Sequence, residues 1–105
     1  MTGGLPARAP YATSKGAVTT MLRSLAKAYG PHNITVNAVA PGLIDTAMMR
    51  DGLAPEQRRA MEAATPLGRF GTPDEVAAVV AFLSSNWASF ISGATINVSG
   101  AYTLY

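Results

Sequence analysis

Ile34-Thr35-Val36-Asn37-Ala38-Val39-Ala40-Pro41-Gly42 is the stretch on which the fold turns. It is short and rich in β-branched residues. Gly30-Pro31 lies before it, and Pro41-Gly42 ends it. Such a run between breakers predicts a strand over residues 34–40. Apolar residues dominate it, which suits a strand covered on both faces, as in a parallel sheet. Pro41-Gly42 then places a turn at the strand's C-terminal end. In open α/β sheets that edge is where ligands bind.

Upstream, Val18, Met21, Leu22, Leu25 and Tyr29 recur at spacings of three and four. This is the pattern of an amphipathic helix. Proline is tolerated in a first turn, so the helix is expected to begin near Pro10 or Tyr11. Gly30-Pro31 ends it, and Lys27 near its end suits the helix dipole. Residues 1–10 carry Gly3, Gly4, Pro6 and Pro10 and read as loop.

Downstream, Thr46 can cap a short helix through Met48-Met49-Arg50. Residues 55–64 predict another helix, with Pro55 in its first turn. Residues 65–71 hold Pro66, Gly68 and Gly71 and read as loop. Thr72-Pro73-Asp74-Glu75 starts a helix: Thr at the N-cap, Pro at the first position, Glu three residues after the cap. Val76, Val79, Val80 and Leu83 are its expected buried stripe. After a loop over residues 86–93, Thr95-Ile96-Asn97-Val98 is a second short strand, and residues 99–105 are a tail. Strands alternating with helices argue for a parallel α/β layer. Two strands are too few for an independent sheet, so this is expected to be part of a larger one.

The chain has 105 residues, 49% hydrophobic and 13% charged, with a net charge of +2. That composition excludes disorder and allows one small domain. The basic residues are scattered, so nucleic acid is not an expected partner. With one histidine and no cysteine, the usual zinc ligand sets are excluded, and no metal site is expected. No apolar run approaches the roughly 18 residues of a membrane helix, and residues 1–10 lack a signal core. A soluble, cytoplasmic protein without membrane contact is the expectation.

Chemistry is suggested by Tyr11-Ala12-Thr13-Ser14-Lys15. Residues four apart share a helix face. An ammonium near a phenol favours the phenolate, pulling the tyrosine pKa down from about 10. A phenol tuned toward neutrality is a usable general acid or base. By spacing alone the pair is indistinguishable from two ordinary surface residues.

Taken in order, Tyr11-x-x-x-Lys15 with Ser14, then residues 34–42, Ile44 and Thr46, then Arg69-Phe70-Gly71-Thr72-Pro73-Asp74-Glu75-Val76-Ala77, then Ser92-Gly93-Ala94-Thr95-Ile96-Asn97-Val98, resemble the short-chain dehydrogenase/reductase family. The likeness is to its 3-oxoacyl-carrier-protein reductase-like members, and it covers residues 4–98. The resemblance implies a Rossmann-like, doubly wound parallel sheet, of which this chain holds the C-terminal portion. It implies hydride transfer between NAD or NADP and a small-molecule carbonyl or alcohol. Tyr11 would exchange the proton with the substrate oxygen, and Lys15 would bind the nicotinamide ribose and tune Tyr11. Pro41, Gly42, Ile44 and Thr46 match the loop that holds the nicotinamide, and residues 43–64 match the substrate flap. The first helix, and the last helix with its strand, match surfaces that make homo-oligomers, dimer or tetramer.

On this resemblance residues 1–105 are the C-terminal half of one domain. The family's glycine-rich turn has no counterpart, since Gly3-Gly4 follows no strand. The family's catalytic serine, about a dozen residues before the tyrosine, falls before Met1. The residue that chooses NAD or NADP belongs to the same missing half. Ser99-Gly100-Ala101 stands where an acid or amide and two glycines are common. The alternative expectation is therefore a non-catalytic fragment that keeps only packing and self-association surfaces.

Other patterns have plainer explanations. Ser24-Leu25-Ala26-Lys27 fits S-x-x-K but lacks its companion elements and lies in mid-helix. His32 is read as a solvated loop residue. Asn33-Ile34-Thr35 and Asn97-Val98-Ser99 fit the glycosylation pattern by chance. Met48, Met49, Leu53 and Met61 could line an apolar pocket or serve packing. Trp87, Phe90 and Ile91 are expected in a core or interface.

Overall fold

The computed structural model describes residues 5–102, with side chains from residue 15 onward. A long helix α1 (Leu5–Tyr29) leads through a 3-10 turn at Gly30–His32 to strand β1 (Ala38–Pro41). Helices α2 (Ala47–Gly52), α3 (Pro55–Ala64) and α4 (Pro73–Leu83) follow. A second 3-10 turn at Asn86–Ala88 leads to strand β2 (Thr95–Val98). The architecture is α/β, a helix-rich part of a Rossmann-like parallel sheet.

The strands pair in parallel, with Ala38 opposite Thr95, Val39 opposite Ile96, Ala40 opposite Asn97 and Pro41 opposite Val98. Parallel neighbours need a long crossover; here it carries all three shorter helices. α4 packs on both strands. Gln57 Oε1 accepts from Ala54 N at 2.8 Å at the start of α3. Thr72 Oγ1 accepts from Glu75 N at 3.2 Å, and Glu75 Oε1 accepts from Thr72 N at 2.8 Å, closing a capping box on α4.

Three expectations are corrected. α1 begins at Leu5, not near Pro10. Pro6 falls in the first turn, where its missing N–H is no loss, and Pro10 forgoes a single bond to the carbonyl four residues back. β1 is shorter than residues 34–40. Its upstream residues are held instead by the turn before β2: Gly93 N donates to the Val36 carbonyl, Val36 N to Ser92 Oγ, and Asn37 bonds Ile91 O and Ala94 N through its side chain. Those bonds leave the regular ladder to start at Ala38. On α4, Val76, Val79 and Leu83 are half-buried, while Val80 is exposed, because two short strands give too narrow a floor to cover the whole stripe.

The buried hydrophobic residues among those described are few: Leu22, Phe70 and Ala88. Trp87 is 88% exposed and Phe90 fully exposed, so neither is in a core. Among the described side chains of α1, the half-buried and buried positions are Lys15, Thr19, Leu22 and Ala26. Of the five residues whose spacing predicts the helix, Val18, Met21, Leu25 and Tyr29 face outward and Leu22 is buried. Among the described residues no helix is long and apolar enough to cross a membrane.

Candidate functional site

The C-terminal end of β1 sets the geometry. Gly42 N donates to the Val98 carbonyl at 3.0 Å, continuing the pairing one residue past the strand. A Cβ on Gly42 would lie 2.7 Å from Ser99 Cβ and 2.8 Å from Ser99 Cα. Glycine is required by that close approach to a neighbouring backbone, a different reason from the turn suggested by Pro41-Gly42. The chain then makes an isolated parallel bridge between Ile44 and Gly71. Gly71 N donates to the Leu43 carbonyl at 2.9 Å, and Asp45 N to the Gly71 carbonyl at 2.8 Å.

This bridge fixes which way Ile44 presents its backbone. In a parallel ladder the flanking residues bond the partner strand, so the bridging residue's own N–H points to the other side. The Ile44 carbonyl accepts from Thr46 N at 2.9 Å, whereas its N–H bonds no described residue. Thr46 caps α2, its Oγ1 accepting from Met49 N at 3.3 Å. A hydroxyl that accepts still has its proton to donate, and Thr46 is exposed.

Pro41, Gly42, Ile44 and Thr46 thus lie on one continuous run from the end of β1 to the start of α2. Tyr11 is in α1, one turn before Lys15; its side chain lies outside the described residues. Lys15 is half-buried, and its carbonyl accepts from Thr19 Oγ1 at 3.0 Å.

Asp45, inside this run, and its neighbours Arg58 and Phe70 form a cluster that the sequence pattern does not assign to the site. Arg58 Nη1 lies 3.4 Å from Asp45 Oδ1, and Arg58 Nε lies 3.8 Å from Glu62 Oε2. The guanidinium carbon sits 4.2 Å from the centroid of the Phe70 ring. Arg50 Nη1 approaches the same Asp45 oxygen at 3.5 Å. The only local signal was the i, i+4 spacing of Arg58 and Glu62, which points along α3 and away from Asp45.

Electrostatic tuning in the neighbourhood falls on a structural pair. Arg69 Nη1 and Nη2 donate to Glu75 Oε1 and Oε2, each at 2.9 Å. This fork, helped by the Thr72 N–H, lowers the Glu75 carboxyl from near 4.5 to about 2, and the carboxylate in turn holds Arg69 above its ordinary value.

A family model described as enoyl-(acyl carrier protein) reductase matches residues 1–103. The chain is 48% identical over 94 residues to the protein FixR of Bradyrhizobium diazoefficiens, covering 90% of this chain and 32% of that protein. It is 48% identical over 90 residues to the 3-oxoacyl-[acyl-carrier-protein] reductase FabG of Pseudomonas aeruginosa, covering 86% of this chain and 36% of the reductase. It is 43% identical over 101 residues to 3beta-hydroxysteroid dehydrogenase 1 of Eggerthella lenta, covering 95% of this chain and 39% of the dehydrogenase. The chain spans about a third to two fifths of the length of these relatives. With the parallel strands and the ordered motifs already in place, the match establishes that this chain belongs to the short-chain dehydrogenase/reductase family.

Proposed function

We propose that this chain is the C-terminal, catalytic-side part of an NAD(P)-dependent oxidoreductase acting on a small-molecule carbonyl or alcohol. The observation that carries the reading is the backbone run 41–46. It leaves the C-terminal end of a parallel strand with an Ile44 N–H that bonds no described residue and an exposed Thr46 hydroxyl. Ligands of open α/β sheets bind at such an edge, and an amide-bearing ring such as nicotinamide suits a paired N–H and hydroxyl. The names of the relatives, a 3-oxoacyl reductase and a hydroxysteroid dehydrogenase, favour the same class of substrate.

Pro41, Gly42, Ile44 and Thr46 would hold the nicotinamide end of the cofactor, and Lys15 its ribose. When bound, the cofactor supplies or accepts a hydride. The chain's own chemistry is the proton. Tyr11 gives its phenolic proton to the substrate oxygen as the alcohol forms, or takes it back in oxidation. Lys15, one turn along α1, stabilises the phenolate that results. A donor held beside the developing alkoxide stabilises charge where it appears.

The test is titration of the full-length protein with NADH and NADPH, followed by cofactor fluorescence, together with Tyr11→Phe. Saturable binding is expected, and Tyr11→Phe should lower kcat by ~10² to 10⁴ while cofactor affinity stays within a few-fold. Wild-type activity in Tyr11→Phe would reject the role of Tyr11. Well-folded protein without saturable binding of either cofactor would reject the oxidoreductase reading and favour a chain that only packs and self-associates.

A further inference from the structure

We infer that Arg58 is a positioning residue: it latches the base of the flap, α3, to the Ile44–Asp45–Thr46 loop and so sets that loop for the cofactor. The inference rests on the cofactor reading of residues 41–46.

Two segments distant in sequence meet at this point. Leu43 and Asp45 bond Gly71 through their backbones, at 2.9 and 2.8 Å. Arg58 reaches across the same junction with its side chain. Its Nη1 is 3.4 Å from Asp45 Oδ1, and its guanidinium lies on the Phe70 ring at 4.2 Å. Phe70 is only 5% exposed, and its carbonyl accepts from Arg69 Nη1 at 3.0 Å. The ring is therefore a fixed platform. A planar cation stacked on an aromatic face and bonded at its rim has little freedom. Arg58 thus ties α3 to both sides of the bridge that orients the Ile44 N–H.

α2 is held differently. Its helix has six residues, too few to be stable without support. Among the described residues its polar attachments are the Thr46 cap and the contact of Arg50 with the same Asp45 oxygen, at 3.5 Å. The Arg50 side chain is 57% exposed, against 31% for Arg58. Exposed pairs contribute little and are readily broken. One carboxylate oxygen serves both arginines, so loss of the Arg50 contact leaves the Arg58 contact in place. α3 is thus tied to Asp45 by the less exposed contact and α2 by the more exposed one, with Asp45 as the shared post.

The experiment is hydrogen exchange read by mass spectrometry on the full-length protein, for wild type, Arg58→Lys, Arg58→Met and Asp45→Asn. Coenzyme KM and kcat are measured alongside. Arg58→Met should speed exchange over residues 43–49 about tenfold, with β1, β2 and α4 unchanged. Arg58→Lys keeps the charge but loses the stacked plane, and should fall between. Asp45→Asn, which keeps the size and shape of the post, should give the same local rise in exchange and serves as the test if Arg58→Met folds poorly. KM for the coenzyme should rise about fivefold to tenfold, with kcat within about threefold. Unchanged exchange over residues 43–49 would overturn the latch. So would an equal rise in β1, β2 and α4, which would make Arg58 a general packing residue. A protein that shows the local exchange effect but binds neither NADH nor NADPH would keep the latch and remove the cofactor reading.

Discussion

Ala101 holds φ at 69°, immediately after Gly100 at 57°. Two successive left-handed residues turn the chain back after β2, and Tyr102 N donates to the Ser99 carbonyl at 2.9 Å. An L-residue in that region costs about 1–2 kcal/mol. Glycine gives back part of that through the greater freedom of the unfolded chain. Ala101→Gly should therefore stabilise the protein by about 0.5–1 kcal/mol, measured by urea unfolding. No change, or a loss, would show that the turn carries no strain. Gly42 tests the opposite case. There the obstacle is the Ser99 backbone, at 2.8 Å from any added Cβ, so side-chain rotation cannot relieve it. Gly42→Ala should destabilise by about 1–3 kcal/mol, the usual cost of overpacking. The need for glycine at both positions was only half legible. Residues 99–101 depart from a two-glycine pattern, which marks Ala101 as unusual. Gly42 reads as a turn residue because Ser99, which actually demands it, is far away in the chain.

At the scale of elements, what the sequence states locally is what the structure repeats. α3 and β2 run over the same residues that the pattern predicts. α4 starts where Thr72-Pro73-Asp74-Glu75 says it should, since a capping box is written within four residues. The outcomes that differ depend on partners. β1 is trimmed by the side chains of Ser92 and Asn37, and Val80 is left exposed beside a hollow that it lines with Val39. For the candidate site, the run 41–46 was legible as a strand end, but the Asp45–Arg58–Phe70 cluster was not, because its members meet only after folding. The α4 cap yields a pH prediction. Glu75 titrates at about 2 when folded, against about 4.5 ordinarily, chiefly through Arg69 and the Thr72 N–H. A lowered carboxyl pKa stabilises the fold fully above about 4.5, and that contribution disappears as pH falls toward about 2. Glu75→Gln should thus lower Tm at pH 7, and its difference from wild type should shrink through that window. A difference independent of pH between 5 and 2 would show that the charge of Glu75 is irrelevant. Thr72→Ala, which removes the other half of the box, should cost about 1 kcal/mol.

For the molecule as a whole, area decides. A compact chain of 10.9 kDa exposes about 5,600 Å², whereas this one exposes 7485 Å². Its radius of gyration is 16.2 Å, where about 13 Å is usual for this length. The excess, about 1,900 Å², is more than twice the roughly 800 Å² that one partner contributes to a standard protein–protein interface. Much of it is apolar: Val18, Met21 and Leu25 on α1, Phe82 on α4, and Trp87 and Phe90 beyond it. Surfaces of this kind drive association when nothing covers them, and an open strand edge adds a template for pairing. The 105-residue polypeptide should therefore sediment above its monomer mass at micromolar concentration. Trp87, the single tryptophan, is the reporter: at 88% exposure its emission should be that of a solvated indole in dilute solution and shift to the blue on concentration. Trp87→Glu with Phe90→Ser puts a charge and a small polar group where burial would occur, and should return the population toward monomer. A chain that stays monomeric at high concentration with unshifted Trp87 emission would mean that its apolar surface is covered in some other way. Hydrogen exchange along α1 would then locate the cover, because protection at Val18, Met21 and Leu25 exceeds what an exposed helix face allows only if something packs on them.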